Sequence, residues 1–257
     1  QTAQSNRNLV INGAMQVFQR GTSATAASNN FATVDRFKTF KSNAGAYTSE
    51  RSTDNPTGSG TSVKLQVTTA DTSISAAQYA IFEQRIEAQN LQHLQYGTSS
   101  AKFLTASFWV KSNKTGQYSF SLGKNDSTSY IYAKMFTINS ANTWEKKTIT
   151  ISPTAGSTTL ITNSGGAIVS DNGLGFIMGF SLALGSNFTG ATDDSWSTNT
   201  SHYATTDQVN WMDSTDNNFY ITQVQLEVGE VATPFEHLSF ADDLALCQRY
   251  YSQSYVH

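Results

Sequence analysis

Leu174–Leu184, LGFIMGFSLAL, is the most apolar run in the chain and decides its fold class. Its length suits a strand buried on both faces better than a helix. The glycines at 175 and 179 weaken a helix and are tolerated where a strand bulges. Outward from this run, period-2 alternation and β-branched or aromatic segments recur between Gly, Asn, Ser and Thr clusters. Residues 130–138 (YIYAKMFTI), 118–122 and 103–110 (FLTASFWV) precede it, with 145–151 between. Further out lie residues 79–86 (YAIFEQRI), 62–67 (SVKLQV), 34–40 (VDRFKTF) and 219–227 (FYITQVQLE). Two segments read as helical. Residues 87–94 form a short amphipathic turn. Residues 242–250 begin with two Asp and end near Arg249, as a helix dipole prefers, with Leu244, Cys247 and Tyr251 at helical spacing. Many strands with almost no helix and no fixed repeat predict an all-β sandwich or jelly roll. One domain is expected overall: an N-terminal strand and polar connection over 1–30, the sandwich over 31–240, and a helix and tail over 241–257.

Charged residues make up 14% of the 257-residue chain, against about 25% in an average soluble domain. Neutral hydrogen-bonding side chains fill the gap, so salt screening has little to act on. The net charge is −3 and no basic stripe is present, which argues against nucleic-acid binding. No apolar run approaches the roughly 20 residues of a membrane span, and no signal peptide is recognisable. Cys247 is the single cysteine. An internal disulfide is therefore excluded, and assembly in a reducing cytoplasm is expected. The start at Gln1 reads as a fragment or a processed product.

No catalytic constellation emerges, and the chain reads as a non-enzyme. His93, His202, His237 and His257 lack metal-ligand spacing. Glu83 and Glu87 flank Arg85 and read as exposed or salt-bridged. Asp193-Asp194 and residues 213–218 (DSTDNN) do not match a calcium loop and read as solvated turns. No cofactor is expected. Arg36 is expected in a buried ion pair with Asp35 or Glu83.

The binding candidates are aromatic, because sugar C–H faces stack on Trp and Tyr while Asp, Asn and Gln take the hydroxyls. Trp109 sits in an apolar strand and reads as core; Trp144 could go either way. Residues 187–218 form a long polar stretch, of the kind that is usually functional or disordered. It carries Trp196, Tyr203 and Trp211 near Asp193, Asp194, His202 and Asn210. These seven are the candidate glycan platform; the competing reading is that they staple the stretch to the sandwich. The C-terminal helix either covers the end of the sandwich or presents Arg249, Tyr250 and Tyr251 to neighbouring copies.

Short motifs in order carry a resemblance. Residues 8–13 (NLVING), 84–87 (QRIE), 107–112 (SFWVKS) and 224–229 (VQLEVG) resemble carbohydrate-binding modules with a galactose-binding-like jelly roll. Residues 34–37 (VDRF), 68–74 (TTADTSI), 232–237 (ATPFEH) and 247–251 (CQRYY) resemble fibre and virion surface proteins of marine tailed bacteriophages. The resemblance covers almost the whole chain. It implies a jelly roll, a place on the virion surface, a homotrimer contacting other virion proteins, and recognition of host cell-surface glycans. The alternative it leaves is a structural virion component such as a head fibre, decoration or tail-assembly protein. Two departures stand out. Ile221-Thr222-Gln223 lacks the acidic residue that helps such modules hold structural calcium. Leu238 follows the PFEH motif where the phage proteins often have Arg.

Overall fold

The computed structural model describes residues 7–26 and 30–253. The readings placed on Gln1 and His257 lie outside these residues. Two six-stranded antiparallel sheets face each other. The first runs in the order β1 (Ser23–Thr25), β3 (Ala46–Ser52), β4 (Ser62–Thr69), β12 (Asn218–Val228), β6 (Leu104–Ser112), β9 (Glu145–Ile151). The second runs β11 (Ser195–Ser197), β8 (Tyr130–Ile138), β7 (Gly116–Lys124), β10 (Leu174–Leu184), β5 (Tyr79–Glu87), β2 (Phe37–Ser42). Four pairings settle the architecture: β4 with β12, β5 with β10, β6 with β9 and β7 with β8. The chain is thus one long antiparallel hairpin with its tip at β7–β8. Its arms are rolled so that successive pairs fall alternately in the first and second sheet. That is a jelly roll.

Period-2 alternation builds the core between the sheets. Leu104, Ala106, Phe108 and Val110 of β6 point inward and are buried. They meet Phe176, Met178, Phe180 and Leu182 of β10. The rings of Phe108 and Phe180 pack edge to face at 4.9 Å, and Phe136 closes on Phe108 at 5.1 Å. The register of β10 against β5 shifts near Leu174/Phe176 and Ser181/Ala183, so the glycine-bearing strand is bulged as its sequence implies. Trp109 corrects the reading of this core. It adjoins Phe108, so only one of the two can face inward; Phe108 does, and Trp109 stands half-exposed on the outer side.

A second bulge lies in β12, between Thr222 and Gln225. The extra residue, Gln223, has φ 48°. Without it, Val224 and Leu226 would point outward with Tyr220; with it, they join Phe219 and Ile221 in the core. The N-terminal segment docks against this bulge. Val224 N–H donates to Gly13 O at 2.9 Å, and a Cβ on Gly13 would lie 2.1 Å from Val224 O. Only glycine fits there.

Several motifs of the resemblance, among them residues 8–13, 84–87, 224–229 and 232–237, converge at this end of the sandwich as a latch. The Asn8 side chain donates to Val224 O (3.1 Å) and accepts from Leu226 N–H (3.0 Å), while its own N–H donates to Glu236 (2.9 Å). Ile11 and the Gln84 side chain exchange two hydrogen bonds of 2.9 and 2.8 Å. Helix α1 (Phe240–Gln248) is capped by Ser239, which accepts from Asp242 N–H. Its buried Asp243 accepts from Asn12 N–H and Gln16, both at 2.9 Å. Arg249 pairs with Glu87 at 2.9 Å, Tyr250 lies 3.4 Å from the Arg36 guanidinium, and Tyr251 lies 3.6 Å from that of Arg20. The three residues read as presenting themselves to neighbouring copies are therefore seated on their own chain.

Arg36 is a further correction. Its φ is 73°, and its guanidinium donates to Arg85 O at 2.6 Å beneath Tyr250. Asp35 is paired by Arg20 (3.2 Å), and Glu83 by Arg85 (3.3 Å) and Lys38 (3.9 Å). The expected helix at 87–94 is a 3-10 helix over Ala88–Leu94. Strands β1, β3 and β11 were not anticipated. β1 draws part of the segment read as a polar connection into the first sheet.

Candidate functional site

Residues 187–218 roof the outer face of the second sheet. Ser119 Oγ donates to Tyr203 O at 2.6 Å, Gln208 donates to Ser181 O at 3.1 Å, and Val209 N–H donates to Gln117 O at 2.9 Å. Beneath this roof, Ile81, Glu83, Ser119, Ser121 and Ser181 are buried although they point away from the core. Five of the seven residues of the sequence-derived platform fasten the stretch to the rest of the sandwich, while His202 and Tyr203 make side-chain contacts within it. Trp196 is 2% exposed, donates to Ser152 O at 2.9 Å and packs on Tyr132 at 5.6 Å. Trp211 is fully buried and meets Tyr47 edge to face at 5.6 Å. Neither ring has a face free for a sugar. Asp193 accepts from Met135 N–H (2.7 Å) and pairs with Lys134 (2.8 Å). Asp194 accepts from Tyr132 (2.6 Å). Asn210 accepts from Met212 N–H (3.0 Å) and donates to Asp71 O (2.8 Å). His202 bonds Asn199 at 2.8 Å, and Tyr203 packs on Phe188 at 6.2 Å. Both tryptophans sit in the core, Trp196 from edge strand β11 and Trp211 against Tyr47 of the first sheet, and so anchor the stretch at two points. Spacing alone does not distinguish that from a platform.

The cavity under the roof holds about 30 Å³, room for about one water and not a sugar ring. Glu83, Ser121, Thr200 and Tyr203 line it. Burial raises the Glu83 carboxyl above its ordinary value, against the pull of Arg85 and Lys38.

The first sheet's outer face is different. Trp109, Trp144 and Tyr220 all stand there half-exposed. Tyr220 of β12 lies between Lys64 of β4 and Lys111 of β6 in one row of the ladder. Trp109 stands directly across from Lys146 of β9. Trp144, just before β9, closes on Tyr220 at 6.1 Å and donates its indole N–H to Asp54 at 3.0 Å. Lys111 is ion-paired to Asp54, with its ammonium 4.4 Å from the Tyr220 ring centre and 5.3 Å from that of Trp144. The bond from Lys111 holds the Asp54 carboxyl below its usual range, with the Trp144 N–H acting in the same direction. The result is a preorganised set of rings with ammonium, carboxylate and amide groups, including Gln66, at its margins. Such a surface offers flat apolar faces and neutral or charged hydrogen bonding together. The signal for it was present in FWV (108–110) and FYI (219–221). In each, a bulky aromatic between two core residues must face out once the parity of the strand is known.

Among the described residues no three His, Cys, Asp or Glu side chains converge to hold a metal. At the place of the missing calcium ligand, Thr222 donates to Thr61 O (2.7 Å) and Gln223 to Gly58 O (3.1 Å).

No protein-family model matches the sequence, and no curated protein does. Several solved structures share a general outline. The enzymatically active domain of tailspike protein 4 from bacteriophage CBA120 superposes with a TM-score of 0.38 at 13% identity; the match covers 87% of this chain. It takes in only 22% of the tailspike chain. A candidate sugar-binding protein from Bacteroides thetaiotaomicron gives 0.46 at 12% identity, covering 86% of this chain and 100% of its own. A family 4 carbohydrate-binding module gives 0.40 at 14% identity, covering 85% and 98%. These likenesses are of outline only.

Proposed function

We propose that the chain is a non-catalytic glycan-recognition domain of a tailed-phage virion surface protein, working as a homotrimer that binds host surface glycans. The observation that carries the reading is the open outer face of the first sheet, with Trp109, Trp144 and Tyr220 half-exposed side by side. The ordered motifs of residues 34–37, 68–74, 232–237 and 247–251 support the virion assignment. The mechanism is stacking of sugar faces on the rings, with Lys64, Gln66 and Asp54 taking hydroxyls. A shallow site of this kind binds weakly, and three copies on one particle raise the avidity. A glycan array probed with the assembled protein tests it: binding that disappears in Trp109→Ala and Trp144→Ala supports the reading, and an array silent at every density overturns it.

One observation favours the second reading, a structural virion component. At the latch end, Leu9, Ile11, Phe235, Leu238 and Leu246 line a groove of about 360 Å³, and Phe240 beside it is 55% exposed. Exposed apolar surface of this sort suits protein contact. Imaging the protein's position on the particle separates the two: a site at a fibre tip favours recognition, and a buried one favours assembly.

A further inference from the structure

Charge on the first sheet's outer face is distributed unevenly. Lys64, Lys111 and Lys146 stand on it, with Glu50 and Asp54 as the counter-charges. Lys64 pairs with Glu50 at 3.7 Å, and Lys111 with Asp54. Lys146 is exposed, and among the described residues no carboxylate forms an ion pair with it. Its chain neighbour Glu145 does not neutralise it. Strand alternation turns Glu145 away, where Lys147 (2.5 Å) and the N–H groups of Asn139 (2.8 Å) and Ser140 (2.9 Å) hold it. The patch therefore carries one uncompensated positive charge in a chain whose net charge is −3. That charge is placed with respect to a ring. Lys146 is the direct cross-strand partner of Trp109, and residues so paired have Cβ atoms about 4.5–5.5 Å apart. A hexose lying on the indole would present its ring substituents to the ammonium.

We propose that the glycan taken by this face is anionic: a hexuronic acid stacks on Trp109 with its carboxylate at Lys146. The proposal rests on the reading of this face as the glycan site. With a net charge of −3, the chain offers such a polymer no general attraction, so binding depends on a locally positive patch.

The test compares a galacturonic acid tetrasaccharide with its carboxyl-reduced, neutral counterpart on the full chain. The acidic sugar should bind roughly tenfold more tightly at low ionic strength, the size expected of one well-placed charge contact. Raising the ionic strength from about 0.01 M to about 1 M shortens the screening length from about 30 Å to about 3 Å and should erase that preference. Lys146→Gln, a change at an exposed position, should erase it equally and leave the neutral sugar's affinity as it was. Equal binding of both sugars by the unaltered protein, or a preference that survives in Lys146→Gln, overturns the inference while leaving the site in place. If Trp109→Ala binds both sugars as before, or if neither sugar binds at all, the reading of the face falls and the inference with it.

Discussion

The outer face of the second sheet hides Ile81, Glu83 and Ser181 under residues 187–218, whereas that of the first sheet leaves Trp109, Trp144 and Tyr220 half-exposed. Both regions are rich in aromatic and polar side chains, and composition does not separate them. What separates them is whether the rings are covered: Trp196 and Trp211 are buried, while Trp109, Trp144 and Tyr220 are not. In the roof, Asp193, Asp194, Asn210 and Trp196 are tied to backbone or side-chain groups of their own sandwich. On the open face the rings are braced from below and the side, and their upper surfaces remain in water. A long aromatic loop is thus a poor guide to a binding site when it crosses a sheet and covers its outer face.

The contrast can be broken by substitution. Trp211→Ala should lower stability by about 3–5 kcal/mol, as for other fully buried aromatics, with glycan affinity of the folded protein unchanged. Urea unfolding that shows a loss under about 1 kcal/mol would contradict its role as a fastener. Trp196→Phe keeps a ring but removes the donor to Ser152 O, and should cost about 1–3 kcal/mol in the same experiment. Trp144→Ala should do the reverse of both. Its indole bond is exposed, so stability should move by no more than about 1 kcal/mol, while calorimetry should show glycan affinity falling roughly tenfold. The smallest effect concerns pH at Glu145, the first residue of β9. Burial would raise the Glu145 carboxyl, but Lys147 and the N–H groups of Asn139 and Ser140 bring it down to about 2, from an ordinary 4.5. A carboxyl depressed by folding contributes stability that is present above the unfolded value and lost as pH falls toward the folded one. The unaltered protein should therefore lose stability relative to Glu145→Gln between about pH 4.5 and about pH 2. Parallel denaturation midpoints over that window would contradict it.

Much of the sandwich was legible. β8, β9 and β10 fall at the bounds their alternation implies, and in β10 Phe176, Met178, Phe180 and Leu182 form a full inward apolar set. β3 escaped notice because AYTSERS buries little beyond Tyr47 on an outer part of the sheet, and β1 and β11 have three residues each. β2 begins at Phe37, later than VDRF suggested, since Arg36 with φ 73° cannot extend the strand. The site was less legible. Trp109 was misread because an apolar strand conceals which of two adjacent rings faces outward, a matter settled by the partner strands. Trp196 and Trp211 were ambiguous because their burial depends on the sheet beneath them, and no local pattern encodes that.

The latch has a consequence for the order of folding. Asn8 is bound by Val224, Leu226 and Glu236, and Asn12 by Asp243. Each of these contacts joins residues 216 to 231 positions apart, and the outermost pairing of the roll, β4 with β12, is also long-range. Such closures are entropically slow and come late. On a translating ribosome, residues 8–13 must wait for their partners until β12 and α1 have emerged. The tip pair β7–β8 and the strands around it can associate well before then. The region that most marks the chain by its motifs is thus expected to be the last part of the molecule to become native.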